Sequence, residues 1–247
     1  MKLTQIAAVL FLGASITTPA FAQTGPGPGA GVGPGGNQGM IARGNQDNAR
    51  GLSRSPYSTL CGQALATSLA ALPIEALNSA EQDSLIYMRE EEKLAHDVYV
   101  HMNTLWGGVP VFDNIADSEF THAEAVRQLL ARYSLPDPAA TSAAGQFQNA
   151  NLQALYTQLV ATGTTSFTEA LKVGATIEEM DIMDIQAALV NVDNQDIRLV
   201  YDNLLRGSQN HLRAFVKNLF WQDVIYTPQF MSPTDYEAII NNPMQRK

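Results

Sequence analysis

The sequence predicts an all-α protein, a four-helix bundle with one long crossover, on three observations. Apolar residues recur at helical spacing in four long segments, capping residues, glycines and prolines punctuate those segments, and nothing between them alternates as a half-buried strand would.

Each element follows in order. Ser79-Ala80-Glu81-Gln82 opens the first long helix, with Ser79 as cap and Gln82 at the third position. It runs to about Leu105, where Trp106-Gly107-Gly108-Val109-Pro110 stops it. Asp113 or Asn114 caps the second, which carries Ile115, Phe120, Val126, Leu129 and Leu130 and ends before Pro136 and Pro138. A polar connection to Phe147 and a short helix from about Leu152 to Val160 lead to the third long helix. There Ser166 and Glu169 form another box, and the helix runs to about Val190. Asp193-Asn194 starts the fourth, with Ile197, Val200, Leu204, Leu212, Phe215 and Leu219. Short turns join the first pair and the second pair, whereas the stretch from Pro136 to Thr165 separates the pairs. Two antiparallel hairpins joined by one long crossover is the ferritin-like topology.

Residues 1–22 read as a signal peptide. Lys2 supplies the positive start, Ile6 to Ile16 the apolar core, and Ala20-Phe21-Ala22 the small-x-small cleavage pattern, leaving Gln23 first. The apolar run falls short of the roughly 20 residues of a membrane span. No later segment is apolar enough, so a periplasmic or secreted protein with no membrane span is expected. Residues 23–52 form a flexible Gly/Pro-rich linker that cannot offset its ordering entropy. Residues 53–78 are a short helical lead-in, 79–230 the ferritin-like domain, and 231–247 a C-terminal tail. The formal charge of −9, one unit lower once Lys2 is removed, disfavours nucleic acid and anionic membranes and suits cations. Cys61 is the single cysteine, which excludes an internal disulfide and a multi-thiolate metal site. It is a buried or free thiol, or half of an intermolecular bridge.

The candidate chemistry sits on the apolar helix faces. Leu85, Met88, Ala95, Tyr99 and Met102 make one seam of the first helix, and Glu92 lies in it. Glu91 falls on the adjoining stripe and Glu90 away from both, while the alternative for all three is a solvated charge run. Glu119-Phe120-Thr121-His122 places a carboxylate and an imidazole one turn apart on the second helix, able to grip one metal ion. Glu178, Asp181 and Asp184 fall among apolar residues of the third helix, with Glu179 toward solvent. His211 lies on the fourth, and His96 and His101 read as surface residues. Carboxylates with imidazoles suit iron or manganese, admit zinc and disfavour calcium. No phosphate loop, nucleophile elbow or H-E-x-x-H is present.

Three stretches resemble the domain of unknown function 2202 family. They are Tyr87-Met88-Arg89-Glu90-Glu91-Glu92-Lys93-Leu94-Ala95 with Asp97-Val98-Tyr99, Ser118-Glu119 with Thr121-His122, and Asn203 to Ser208 with Asn210 to Phe215. The resemblance covers about Ser79 to Phe230 and implies placement among ferritin-like proteins without declaring an activity. In that wider group the first helix commonly has Glu, then a small residue three later and Tyr seven later. Glu92, Ala95 and Tyr99 match, which favours Glu92 over Glu91 as ligand. The departure is on the fourth helix, where Gly207 and Ser208 stand ahead of His211 and the usual carboxylate is lacking, unless Asp184 or Glu91 substitutes. Two functions are carried forward. One is a centre in which Glu92, Glu119, His122, Glu178, Asp181 and His211 hold one or two iron or manganese ions for oxygen, peroxide or iron chemistry. Tyr99 would then hydrogen-bond a ligand or shuttle an electron, with the redox partner and oligomeric state open. The other is a non-catalytic helical binding or stress-protection protein with a degenerate metal site.

Overall fold

The computed structural model describes residues 56–243; the expected signal peptide, the whole of the expected linker and residues 53–55 of the lead-in lie outside them. The described residues form seven helices and no strand: α1 (Pro56–Ala70), α2 (Ser79–Trp106), α3 (Pro110–Arg132), α4 (Ala150–Gly163), α5 (Phe167–Leu189), α6 (Gln195–Phe220) and α7 (Pro233–Ile240). None is long and apolar enough to cross a membrane. Cys61 falls in α1, and its side chain lies outside what is described.

Three helix starts differ from expectation. The cap of α2 is Asn78, not Ser79: its Oδ1 accepts from Glu81 N at 2.9 Å, and Glu81 Oε2 accepts from Asn78 N at 3.0 Å. The box is thus displaced by one residue, because Glu81 rather than Gln82 has a second task. Its Oε1 accepts from Asp193 N and Asn194 N in the α5–α6 turn. Helix α3 begins at Pro110, before Asp113 or Asn114, since proline's missing N–H costs nothing in a first turn. Of the box expected at the start of α5 only the cap half is present, Ser166 Oγ accepting from Glu169 N.

Side-chain contacts give the helix directions. Asn103 meets Asp113 and Glu92 meets His122, so α2 and α3 run antiparallel. Asp181 meets Ser208 while Gly174 faces Phe215, so α5 and α6 do too. Tyr87 with Asp184 and Tyr99 with Gly174 set α2 antiparallel to α5. Ser118 with His211 and Arg132 with Asp196 set α3 antiparallel to α6. Helix α4 lies in the connection between α3 and α5 and packs on α2 and α5.

The core has two apolar regions. One gathers Leu85, Met88, Val126, Leu129, Ile185, Val200 and Leu204. The other stacks Tyr99, Phe112 and Phe215, with ring centres 5.2 to 6.3 Å apart. On α2, α3 and α6 the chemically active residues fall in sequence between these regions, and on α5 they fall between Gly174, which faces the Phe215 ring, and Ile185. A fully buried leucine or phenylalanine contributes roughly 1.5–3 kcal/mol, so the polar layer is held from both sides by well-packed neighbours.

Two glutamates expected at the surface are buried. Glu90 accepts from Gln148 N and Asn149 N of the crossover. Glu179 accepts from Tyr226 Oη–H and from the backbone N–H groups of Gln229, Phe230 and Met231. Helical-face reasoning treats the outer face of a helix as solvent, and here the crossover and the C-terminal segment cover it. The segment expected as a tail also carries α7, whose Ile239 carbonyl accepts from Arg213 Nε at 2.8 Å.

Replacing Glu179 by alanine strands several buried donors at once. The Glu179→Ala change is expected to cost on the order of 3 kcal/mol in urea unfolding. A cost under about 0.5 kcal/mol, typical of a surface position, would show that the C-terminal segment does not depend on this carboxylate.

Candidate metal centre

All six residues singled out in sequence reach one interior. Glu92, Glu119, His122, Glu178, Asp181 and His211 are each buried to 9% exposure or less. Helical spacing places them: Glu119 and His122 are three apart on α3, Glu178 and Asp181 three apart on α5, so each pair shares a face. Glu92 comes from α2 and His211 from α6.

Glu119 is the pivot. Its Oε2 lies 2.8 Å from His122 Nδ1, and its Oε1 lies 2.6 Å from His211 Nδ1. His122 Nδ1 is also 3.3 Å from Glu92 Oε2, and His211 Nδ1 is 3.5 Å from Glu178 Oε2. Two groups result, Glu92–Glu119–His122 and Glu119–Glu178–His211, in each of which the candidate ligand atoms lie within 4.8 Å of one another. The imidazole rings stack 5.5 Å apart at 27°. Gly207 makes room for this, because a Cβ there would stand 2.5 Å from His122 Cε1 and Nε2.

Supporting contacts fix the outer atoms. His211 Nε2 lies 3.0 Å from Ser118 Oγ, so a proton on Nε2 leaves Nδ1 with its lone pair toward Glu119 and Glu178. Tyr99 Oη donates to Glu178 Oε1 at 2.6 Å. Ser208 Oγ donates to Asp181 Oδ2. Where a carboxylate is lacking on α6, the small Ser208 therefore faces a carboxylate supplied across the interior by α5. Ser118 and Ser208 were not singled out, since a serine carries no sequence signal for supporting a ligand.

The inner atoms lack such partners. Both oxygens of Glu92, Glu119 Oε1, Asp181 Oδ1, Glu91 Oε2 and His211 Nδ1 are buried without a hydrogen bond. Close approach does not remedy this: His211 Nδ1 and Glu119 Oε1 meet off the line a hydrogen bond requires. The donor set, carboxylate oxygens with imidazole nitrogens, is one that a transition-metal cation would satisfy. The residues present fit such an ion.

Protons otherwise balance the charge. Burial, then the neighbouring charge of Asp181, pushes Glu92 well above the carboxylate range. Burial and the charge of Glu119 push Glu178 up to about 7; burial and Glu178 push Asp181 up to about 8. Burial disfavours the charged form of Glu119 as well, but His211 and His122 outweigh it and hold that carboxyl below its usual range. Burial likewise opposes the imidazoliums, yet Glu119 leads in raising His211 to about 10 and in raising His122 well up.

His96 and His101 take no part. His96 is half-buried, 3.0 Å from Asp97, with its ring beside Phe120. His101 is half-buried.

Comparison with known proteins places these residues within a described family. The sequence pattern of an uncharacterised protein domain, DUF2202, matches residues 81–243. The uncharacterised protein MJ0754 of Methanocaldococcus jannaschii is 46% identical over 178 residues, which are 72% of this chain and 96% of that protein. The crystal structure of the hypothetical protein MJ0754 from Methanococcus jannaschii aligns with a TM-score of 0.68, covering 70% of this chain and 99% of the other.

The proton balance fixes a pH dependence. Glu92, Glu178 and Asp181 retain protons in the fold where the unfolded chain has lost them, and His122 and His211 retain theirs above the free-imidazole range. Each shift makes the folded chain bind more protons than the unfolded one as pH rises, so stability falls; Glu119, held low, opposes this only within and below the carboxylate range. Chelator-treated protein should melt highest near about pH 5 and on the order of 5 °C lower by about pH 8. A melting temperature that climbs across that window would mean that these carboxyls ionise in the fold without cost.

Proposed function

Since the chain belongs to the DUF2202 family, whose activity is uncharacterised, we propose its function from its interior. It is an exported ferritin-like protein, periplasmic or secreted, that holds one or two iron or manganese ions for oxygen, peroxide or iron chemistry. The observation that carries this is the pair of histidine–carboxylate groups sharing Glu119, with unpartnered buried ligand atoms aimed between them. Glu92 and His122 bind on one side of Glu119; Glu178 and His211 bind on the other; Asp181 supplies the carboxylate that α6 lacks. The helix directions support a four-helix bundle with one long crossover, the arrangement in which such centres are built. Iron or manganese there would supply Lewis acidity and one-electron chemistry. Zinc fits the same donors without the redox chemistry. Tyr99 holds a proton 2.6 Å from Glu178 Oε1, so it orients that carboxylate and is the residue placed to pass a proton at that atom.

A second reading, a non-catalytic helical binding or stress-protection protein with a degenerate metal site, is favoured by one observation. Glu119 and the two histidines already form mutually compensating ion pairs, so the interior keeps part of its charge balance through protons alone.

Two experiments test these assignments. N-terminal sequencing of protein from the native compartment should begin at Gln23; a start at Met1 in soluble cell extract would end the export reading. Elemental analysis of protein purified without added metal should find iron or manganese, and loading should raise the melting temperature by mass action. The Glu119→Ala change should abolish that rise. Less than about a tenth of an equivalent of any transition metal, with no rise on loading, would favour the second reading.

A further inference from the structure

Next to the histidine-bearing groups, a second set of oxygen atoms meets at the contact between α2 and α5. Tyr87 Oη lies 3.4 Å from Glu91 Oε1 and 3.4 Å from Asp184 Oδ2. One phenol proton serves only one of these acceptors at a time. Glu91 is 6% exposed, and its other oxygen, Oε2, has no partner; Asp181, 5% exposed, has Oδ1 in the same condition. Apart from Glu92 of the inner groups, the remaining buried acids of α2 behave differently. Glu81 and Glu90 accept backbone N–H groups, and Asp97 accepts from Gly145 N and Lys93 Nζ. Glu91 is therefore not one more loop clamp.

The acids of α5 are ordered in depth. Glu178, Asp181 and Asp184 follow at three-residue intervals, each step about 4.5 Å along the axis and about 60° around it, so the row winds outward across the helix face. Glu178 is 1% exposed and Asp184 half-buried. The row thus runs from the histidine-bearing interior toward solvent, with Glu92 opposite its inner part and Glu91 opposite its outer part.

We propose that Glu91, Asp184 and Tyr87 form a second cation site, which takes a hard divalent ion from solvent and passes it along Asp181 to the inner centre. The destination rests on the metal-binding reading above. The donors of the outer site are oxygens alone, so it binds Mn2+ or Fe2+ more weakly and exchanges faster than the inner groups with their imidazoles. Asp184, the outermost rung, is the point of access. No electron is transferred in this step.

The test uses mature, chelator-treated protein and Mn2+ alone, with bound ion counted by equilibrium dialysis and the rate of uptake followed by electron paramagnetic resonance. Wild type should bind one more Mn2+ than Asp184→Asn. The Asp184→Asn and Glu91→Gln variants should still fill the inner groups, but on the order of tenfold more slowly, as loss of a charged access route predicts. Glu119→Ala should lose the inner ions and keep the outer one. Variants at 184 and 91 that match wild type in both number and rate, while Glu119→Ala loses its ions, would overturn the outer site and leave the inner centre standing. No Mn2+ uptake by wild type would overturn both.

Discussion

A carboxylate taken out of water must find backbone N–H groups, a proton or a cation, and the organisation of this protein follows from how its buried acids meet that demand. Leaving an ionised carboxylate unpaired in a low-dielectric interior costs several kcal/mol, more than most single contacts contribute. Glu81, Glu90, Asp97 and Glu179 meet it with N–H donors from the α5–α6 turn, the crossover and the C-terminal segment. Asp196 meets it with Arg132, Tyr133 and Ile197 N. The first four are fasteners, each tying a non-helical segment to a helix, whereas Asp196 ties α6 to the end of α3. The acids between α2, α3, α5 and α6 face side chains of other helices, which have no free backbone donors in mid-helix, and so are left with a few hydroxyls, imidazoles, protons or metal.

The all-helical architecture is legible in the sequence because periodicity, caps and breakers agree along the whole region from Ser79 to Leu219. Helix existence survives errors in cap assignment: Asn78 replaces Ser79 and Pro110 precedes Asp113, yet neither shift changes the face a helix presents. Glu92, Glu119, His122, Glu178, Asp181 and His211 are legible as inward-facing for the same reason, since a face is set by phase. Glu90 and Glu179 are not. Their burial comes from chain beyond the four long helices, and phase alone cannot say what lies over an outer face.

Small residues carry the rest of the geometry and are the least legible. Gly207 admits the His122 ring, Gly174 admits the Phe215 ring, and Ser208 opens the space that Asp181 fills. Read along α6 alone, Gly207-Ser208 looks like the loss of a carboxylate. Read across the interior, it is complementary to an extra acid on α5. Helix-by-helix motif matching cannot see an exchange of this kind, because donor and space belong to different segments of the chain.

The burial of so many acids also changes what the protein presents to its surroundings. The chain has 24 aspartates and glutamates, and among the described residues ten of them are buried, against two arginines. The formal charge of −9 therefore overstates the acidity of the outer surface, and every inner carboxyl that carries a proton removes its charge from the total altogether. Colloidal behaviour and retention on an anion exchanger follow the outer surface. A chain that reads as strongly acidic is, to a macromolecule approaching from outside, closer to neutral.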